Sequence, residues 1–324
     1  MHPLNKRTLL LGAAALCVTV AVRAQAWPGR PIRLVVPFTP GGSSDILARA
    51  IGQKLTEALG QPVVIDNVPG AGGSLGADKV AKAAPDGYTL LMGHIGTLAV
   101  NPLIYPRLPY DPVQGFAPVA WVANVPNVLV VHPSVPARTL RELITLARSK
   151  PGLLNYGSGG NGSAAHLATE YLKLQSGTFI VHVPYRGTAP AVTDLVAGQI
   201  QLLFTGGPAV IPFVKSGQLR ALAVSSTRRL EALPEVPTVA ESGYPGFEAD
   251  QWYGVVAPAG TPADIVGRLN VLINQALGSA ELKARLQSEG AIAMPSTSEA
   301  WGRHIAREIE RWRPVVKAGN IQPG

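Results

Sequence analysis

Three glycine-rich turns carry most of the chemistry that this sequence offers: Pro40-Gly41-Gly42-Ser43-Ser44-Asp45, Pro69-Gly70-Ala71-Gly72-Gly73-Ser74, and Gly157-Ser158-Gly159-Gly160-Asn161-Gly162-Ser163. Each lies between a β-rich run and a helix-forming stretch. Where side chains are missing, a ligand can approach backbone N–H groups that a helix start leaves unpaired, and the helix dipole favours negative charge there. Such turns read as anion sites. Plain connections with serine caps have the same composition, but three of them in one chain weigh against that reading.

Other chemistries fit less well. Gly157, Gly159 and Gly162 match G-x-G-x-x-G, yet a dinucleotide site needs an acid about 20 residues on, at the end of the next strand. The chain offers His182, Val183, Pro184 and Tyr185 there, with Glu170 inside the helix and Asp194 too late. Gly72-Gly73-Ser74-Leu75-Gly76 fits G-x-S-x-G, but a nucleophile elbow bends straight from strand into helix, and Val68-Pro69-Gly70-Ala71 intervene. A secreted serine hydrolase using Ser74 is therefore the weaker alternative. His94, His132, His166, His182 and His304 are scattered without metal-ligand spacing, so neither a metal nor a cofactor is expected.

Individual residues near the turns have two readings each. Asp45, in the first turn of a helix, either complements the dipole or orients ligand or water beside the glycines. His166 follows Ser163 by three residues, so both face a cleft or the histidine packs locally. His94 lies just past a strand end, where ligand contacts of α/β sheets gather.

The elements that position these residues alternate strand and helix. Ile32–Pro37, Val63–Asn67 and Thr89–Met92 read as strands, with Asp45–Leu59 and Ala77–Ala83 as the helices between them. Thr139 and Glu142 form a capping box for a helix that Pro151-Gly152 stops. Strands at Leu154–Tyr156, Phe179–Val183, Ile200–Phe204 and Arg220–Ser225 then alternate with a helix at Ala164–Gln175 and another between Pro190 and Gly198. Val255–Ala257 reads as a lone strand, and the chain is helical after Thr261, with breaks near Gly278 and Gly290–Ser298. This order predicts an α/β fold of mainly parallel sheets flanked by helices. Crossings near Asn124–Asn127 and Glu248–Tyr253 predict two lobes, 27–125 plus 251–324 and 126–250.

Lys6-Arg7, a short apolar run from Thr8 to Val22 and Ala24-Gln25-Ala26 have the form of a cleavable signal peptide over residues 1–26. The working compartment would then be the periplasm, and the only cysteine, Cys17, would leave with the leader. Losing Lys6, Arg7 and Arg23 with it lowers the formal charge from +8 to +5. That suits an anionic ligand, and no Lys/Arg block suggests nucleic acid.

Longer stretches are similar to a known family. Trp27-Pro28-Gly29-Arg30-Pro31-Ile32-Arg33 running into Val36-Pro37-Phe38-Thr39-Pro40-Gly41-Gly42-Ser43-Ser44-Asp45 resembles the mature start of the Bug-type receptors of tripartite tricarboxylate transporters. Ala84-Pro85-Asp86-Gly87-Tyr88-Thr89-Leu90, Val183-Pro184-Tyr185-Arg186-Gly187 and Ala257-Pro258-Ala259-Gly260-Thr261-Pro262 extend the likeness over nearly the whole mature chain. The resemblance implies a two-lobed, type II Venus-flytrap receptor without catalytic activity. It implies a monomer that passes a dicarboxylate, tricarboxylate or aromatic carboxylate to large and small membrane subunits; a periplasmic sensing subunit with the same fold is the other alternative. In such proteins one carboxylate lies between two strand-to-helix turns. Carried onto this chain they supply Phe38, Pro40, Gly41, Gly42, Ser43 and Asp45 from one lobe, and Ser158, Gly159, Gly162, Ser163, Ala164 and His166 from the other. His94, Thr97, Arg186, Thr205 and Trp252 are the candidates for the distal end of the pocket, with Arg186 placed for a second carboxylate.

Overall fold

A computed structural model describes residues 27–322, so the signal-peptide segment 1–26 lies outside the described residues. In the first lobe β1 (Ile32–Val36), β2 (Val63–Asn67) and β3 (Thr89–His94) run parallel, with α1 (Ser43–Leu59) and α2 (Ser74–Ala81) between them. A short α3 (Asn101–Ile104) follows a π-type turn at Gly96–Val100. The chain then runs through β4 (Phe116–Val125), crosses at Pro126, and enters the second lobe as β5 (Asn127–Val131).

The second lobe continues with α4 (Leu140–Ser149), β6 (Asn155–Ser158), α5 (Ala164–Ser176) and β7 (Val181–Pro184). After these come α6 (Thr188–Val196), β8 (Leu202–Gly206), α7 (Gly207–Lys215) and β9 (Arg220–Val224). β10 (Gln251–Pro258) returns to the first sheet and is followed by α8 (Ala263–Gly278), α9 (Ala280–Ser288), β11 (Ile292–Ala293) and α10 (Ser298–Ala318). The sheet orders are β11-β4-β10-β3-β1-β2 and β7-β6-β8-β5-β9.

Both sheets are mixed: β1, β2, β3 and β4 run one way and β10 and β11 the other in the first. In the second, β6, β7, β8 and β9 run one way, and β10 and β5 are each inserted between two strands of the opposite sense. β10 is antiparallel to both β3 and β4, and β5 is antiparallel to both β8 and β9. These inserted strands are where the chain has crossed from the other lobe. The short strand expected at Val255–Ala257 is thus an eight-residue central strand, buried along its whole length. β4 and β5 follow one another across the crossing expected near Asn124–Asn127, where no strands were marked. β5 buries every residue and β4 exposes none, so neither shows the alternation that marks a half-buried strand.

Helix ends explain the rest of the local order. α1 buries Leu47, Ala50, Ile51 and Leu55 along one face and stops at Gly60, whose left-handed backbone (φ 66) lets its N–H reach Thr56 O. α4 is capped by Thr139, whose hydroxyl accepts the N–H of Glu142, and that glutamate reaches back to the Arg138 N–H at 2.6 Å. α1 differs: its N-cap is Gly42, with no side chain to occupy the first-turn amides.

Candidate functional site

The first glycine-rich turn leads from β1 into α1 and is held by an anion underneath it. Asp45 Oδ2 accepts the Gly41 N–H at 3.0 Å and Arg49 Nε at 2.9 Å, while Oδ1 accepts Asn67 Nδ2 at 3.1 Å. The same Asn67 amide donates to Phe38 O at 3.0 Å, so a single cluster fixes both ends of the turn. Burial alone would push the Asp45 carboxyl up, but Arg49, the Gly41 amide and Asn67 together hold it below its ordinary value. Asp45 is thereby spent on the turn, and so is the Gly41 amide. The N–H groups of Ser43 and Ser44, in the first turn of α1, have no helical acceptor.

The second turn leads from β6 into α5 and is held by neutral rings. His166 Nδ1 accepts the Gly162 N–H at 3.1 Å, and Ser158 Oγ lies 2.6 Å from His182 Nε2 while accepting the Gly160 N–H at 3.1 Å. The two imidazoles stack at 4.1 Å, and Tyr156 stacks on His182 at 4.7 Å. Below them Glu170 accepts Tyr156 OH at 2.5 Å and Lys173 Nζ at 2.6 Å. Burial lowers the pKa of His166 to about 4 and that of His182 to about 3, so both rings are neutral near pH 7. The hydroxyl of Ser163 caps α5 through the His166 N–H, leaving those of Ala164 and Ala165 without helical acceptors.

These two helix starts meet at one small cavity of about 20 Å³ between the sheets. Phe38, His94, Gly159, Ser163, Ala164 and Thr205, all among the candidates named from the sequence, line it. Ser44, Ala165, Thr188, Gln251 and Tyr253 line it as well, and nothing in the sequence set them apart. The jaws close on glycine: a Cβ on Gly41 would lie 3.5 Å from Ala189 Cβ, and one on Gly72 would lie 2.5 Å from Asn161 O. Larger hollows, of about 880 and 490 Å³, lie beside β9 and behind the crossings and include none of the turn glycines.

Several other candidates sit elsewhere. Arg186 is exposed on the turn after β7 and is not part of the cavity wall. Thr97 is fully buried behind His94, with its N–H donating to His94 Nδ1 at 3.2 Å. Trp252 points away from the cleft, since side chains alternate along β10; its Nε1 donates to Glu308 Oε2 at 2.9 Å in the core beneath α10. Gln251 and Tyr253, one step either side, are the residues that face the cleft. Pro40, Gly42, Ser43, Ser158 and Gly162 shape the turns without lining the cavity, and Asp45 and His166 support them from behind. Ser74 Oγ accepts Asn101 Nδ2 at 2.9 Å, and among the described residues no histidine bonds to it.

Two lobes with a double crossing, closing on a cavity built at opposed helix starts, define the class of extracytoplasmic solute-binding receptors. A family model described as the tripartite tricarboxylate transporter family receptor matches residues 47–321, and the chain belongs to that family. It is 42% identical over 301 residues to protein BugT of Bordetella pertussis, covering 93% of this chain and 92% of that one. It is 41% identical over 317 residues to a protein encoded between tcbD and tcbE in Pseudomonas sp. strain P51, with coverage of 97% and 94%. Among solved structures, Rpa4515 of R. palustris with adipate superimposes with a TM-score of 0.90 at 42% identity, covering 92% of this chain and 100% of that one. MatC of Rhodopseudomonas palustris with bound malate gives a TM-score of 0.85 at 35% identity, with coverage of 89% and 99%. The family is one of receptors and not of enzymes.

Proposed function

We propose that this receptor captures a small organic carboxylate between its lobes in the periplasm, after removal of residues 1–26, and delivers it as a monomer to the two membrane subunits of a tripartite transporter. The lobes in this reading are 27–125 plus 251–324 and 126–250, swinging about the crossings at Pro126 and near Asp250. One observation carries it: α1 and α5 bring the unpaired first-turn amides of Ser44, Ala164 and Ala165 to one shared cavity. A carboxylate there gains hydrogen bonds to a charge from both lobes at once, which is the differential affinity that draws them together. At roughly 1.5–3 kcal/mol each, a few such bonds cover the ~8 kcal/mol of a micromolar complex. The adipate and malate complexes of the two R. palustris relatives support the ligand class.

Thermal shift against mono-, di- and tricarboxylates tests the reading, because a micromolar ligand at millimolar concentration stabilises by about 4 kcal/mol. Gly42→Val and Gly159→Val sit where an added Cβ meets Thr188 at 3.5 Å, an ordinary contact distance, and where Thr188 and Gly159 line the cavity. Both are expected to fold normally and lose the shift. Normal binding by both variants would show that the turns are mere connections.

A further inference from the structure

The hollow of about 490 Å³ behind the crossings is walled by both lobes and shares no residue with the carboxylate cleft. Lys283 and Ile292 come from the first lobe and Arg228, Leu230 and Glu231 from the second, with Asp250 at the second crossing. The lobes touch at its edge: a Cβ on Gly290 would lie 2.6 Å from Ile211 Cδ1 and 3.4 Å from Leu230 Cδ1. Its size is that of a small-molecule site.

Four charged side chains on this wall are uncommitted. Arg229 is held by Glu241 at 3.0 Å and Glu248 by Arg311 at 3.7 Å, but Arg228, Lys283, Glu231 and Asp250 form no ion pair among the described residues. Two cations and two acids lining one hollow complement a ligand that carries both signs. Asp250 is the least exposed of the four, and its hydrogen bond among the described residues comes from the Ser225 hydroxyl to Oδ1 at 2.5 Å. Burial, with Glu248 beside it, raises its carboxyl to about 7. A cationic donor on a ligand reverses that shift, whereas the exposed Arg228 and Lys283 suit an anion. Leu230 and Ile292 offer apolar surface to a stem between the two charges. Ser225 Oγ also accepts the Asn127 N–H at 2.8 Å, so Asp250 is two hydrogen bonds from the start of β5. An occupant that bridges both lobes here favours the arrangement it bridges.

We propose that this hollow is a second binding site, for a small zwitterion with a short aliphatic stem, whose ammonium pairs with Asp250 and whose carboxylate pairs with Arg228 and Lys283. It goes beyond the carboxylate reading and stands or falls without it. Calorimetric titration of the mature chain with 4-aminobutyrate and 6-aminohexanoate is expected to show at least one of them binding, and butylamine, which lacks the carboxylate, binding about tenfold or more weakly. Asp250→Asn keeps the shape and the Ser225 bond but removes the charge; it is expected to weaken the amino acid about tenfold or more. Lys283→Ala, at an exposed position on α9, is expected to weaken it about threefold or more with the fold unchanged. An amino acid captured by the carboxylate cleft instead binds both variants as it binds the wild type, and full affinity in either variant overturns the proposal. Binding by neither amino acid overturns it as well, and leaves the thermal-shift test of the cleft untouched.

Discussion

The two jaws present similar amides to the cleft but are braced in opposite ways. The turn before α1 is held by a permanent anion, with Asp45 gripping Gly41, Arg49 and Asn67. The turn before α5 is held by uncharged rings, with His166 accepting from Gly162 and His182 paired with Ser158. One brace is electrostatic and the other depends on two imidazoles staying unprotonated. The same geometry can therefore be undone selectively, one jaw at a time.

Removing the anionic brace is expected to cost most. Asp45→Ala removes the acceptor of the Gly41 amide and of one Asn67 N–H and frees the exposed Arg49, an expected loss on the order of 3 kcal/mol in urea unfolding together with carboxylate binding. If Asp45→Ala unfolds at the wild-type midpoint and still binds, the first jaw does not need its brace.

Blocking the meeting of the jaws should cost affinity more than stability. Gly72 has φ 60, and a Cβ there would sit 2.5 Å from Asn161 O across the seam. Gly72→Ala is expected to lose about 1 kcal/mol of stability and about tenfold or more of affinity, and to abolish ligand-induced compaction in small-angle scattering. Full compaction in this variant would show that Gly72 does not gate closure.

Acid separates the braces most finely. The folded pKa values of His166 and His182 lie below the ordinary 6.5, so the unfolded chain binds more protons, and their stabilisation is lost as pH falls from about 6.5 toward about 4. The folded pKa of Asp45 is also lowered, so its stabilisation persists until pH falls below the ordinary carboxylate range. Asp250 opposes the histidines: burial raises its pKa to about 7, so its effect on stability becomes less favourable as pH rises from about 4 to 7. His182→Phe is expected to flatten the acid limb of the melting profile between pH 6.5 and 4, and Asp250→Asn to steepen it. Superimposable profiles for wild type and His182→Phe would remove the histidines from the second brace.

Much of this frame was legible in the sequence because glycine and helix caps are local signals. The turn at Phe38 to Asp45 and that at Ser158 to Ser163 could be marked from residue type alone. β4 and β5 could not, since their pairing partners lie more than 70 residues away and both faces are buried; Pro118 and Pro126 further disguise them. α7 was hidden by Gly207-Pro208 at its start and Pro212 inside it. In the cavity the missing residues were those whose facing depends on strand parity: reading Trp252 as a wall residue put the cleft one position off from Gln251 and Tyr253. That Arg186 is exposed while Thr188, two residues on, lines the cavity is likewise not written in local pattern.

The crossings carry one more lesson. The Tyr253 hydroxyl, Gln251, Asn127, Ser225 and Asp250 form an unbroken thread of hydrogen bonds, and Asn127 also donates to Ala249 O at 2.6 Å. Gln251 and Asn127 begin strands in different sheets, so sliding one lobe along the other must snap the thread, whereas rotation about Asn127 leaves it whole. The thread is thus a pin that ties the start of β10 to the start of β5.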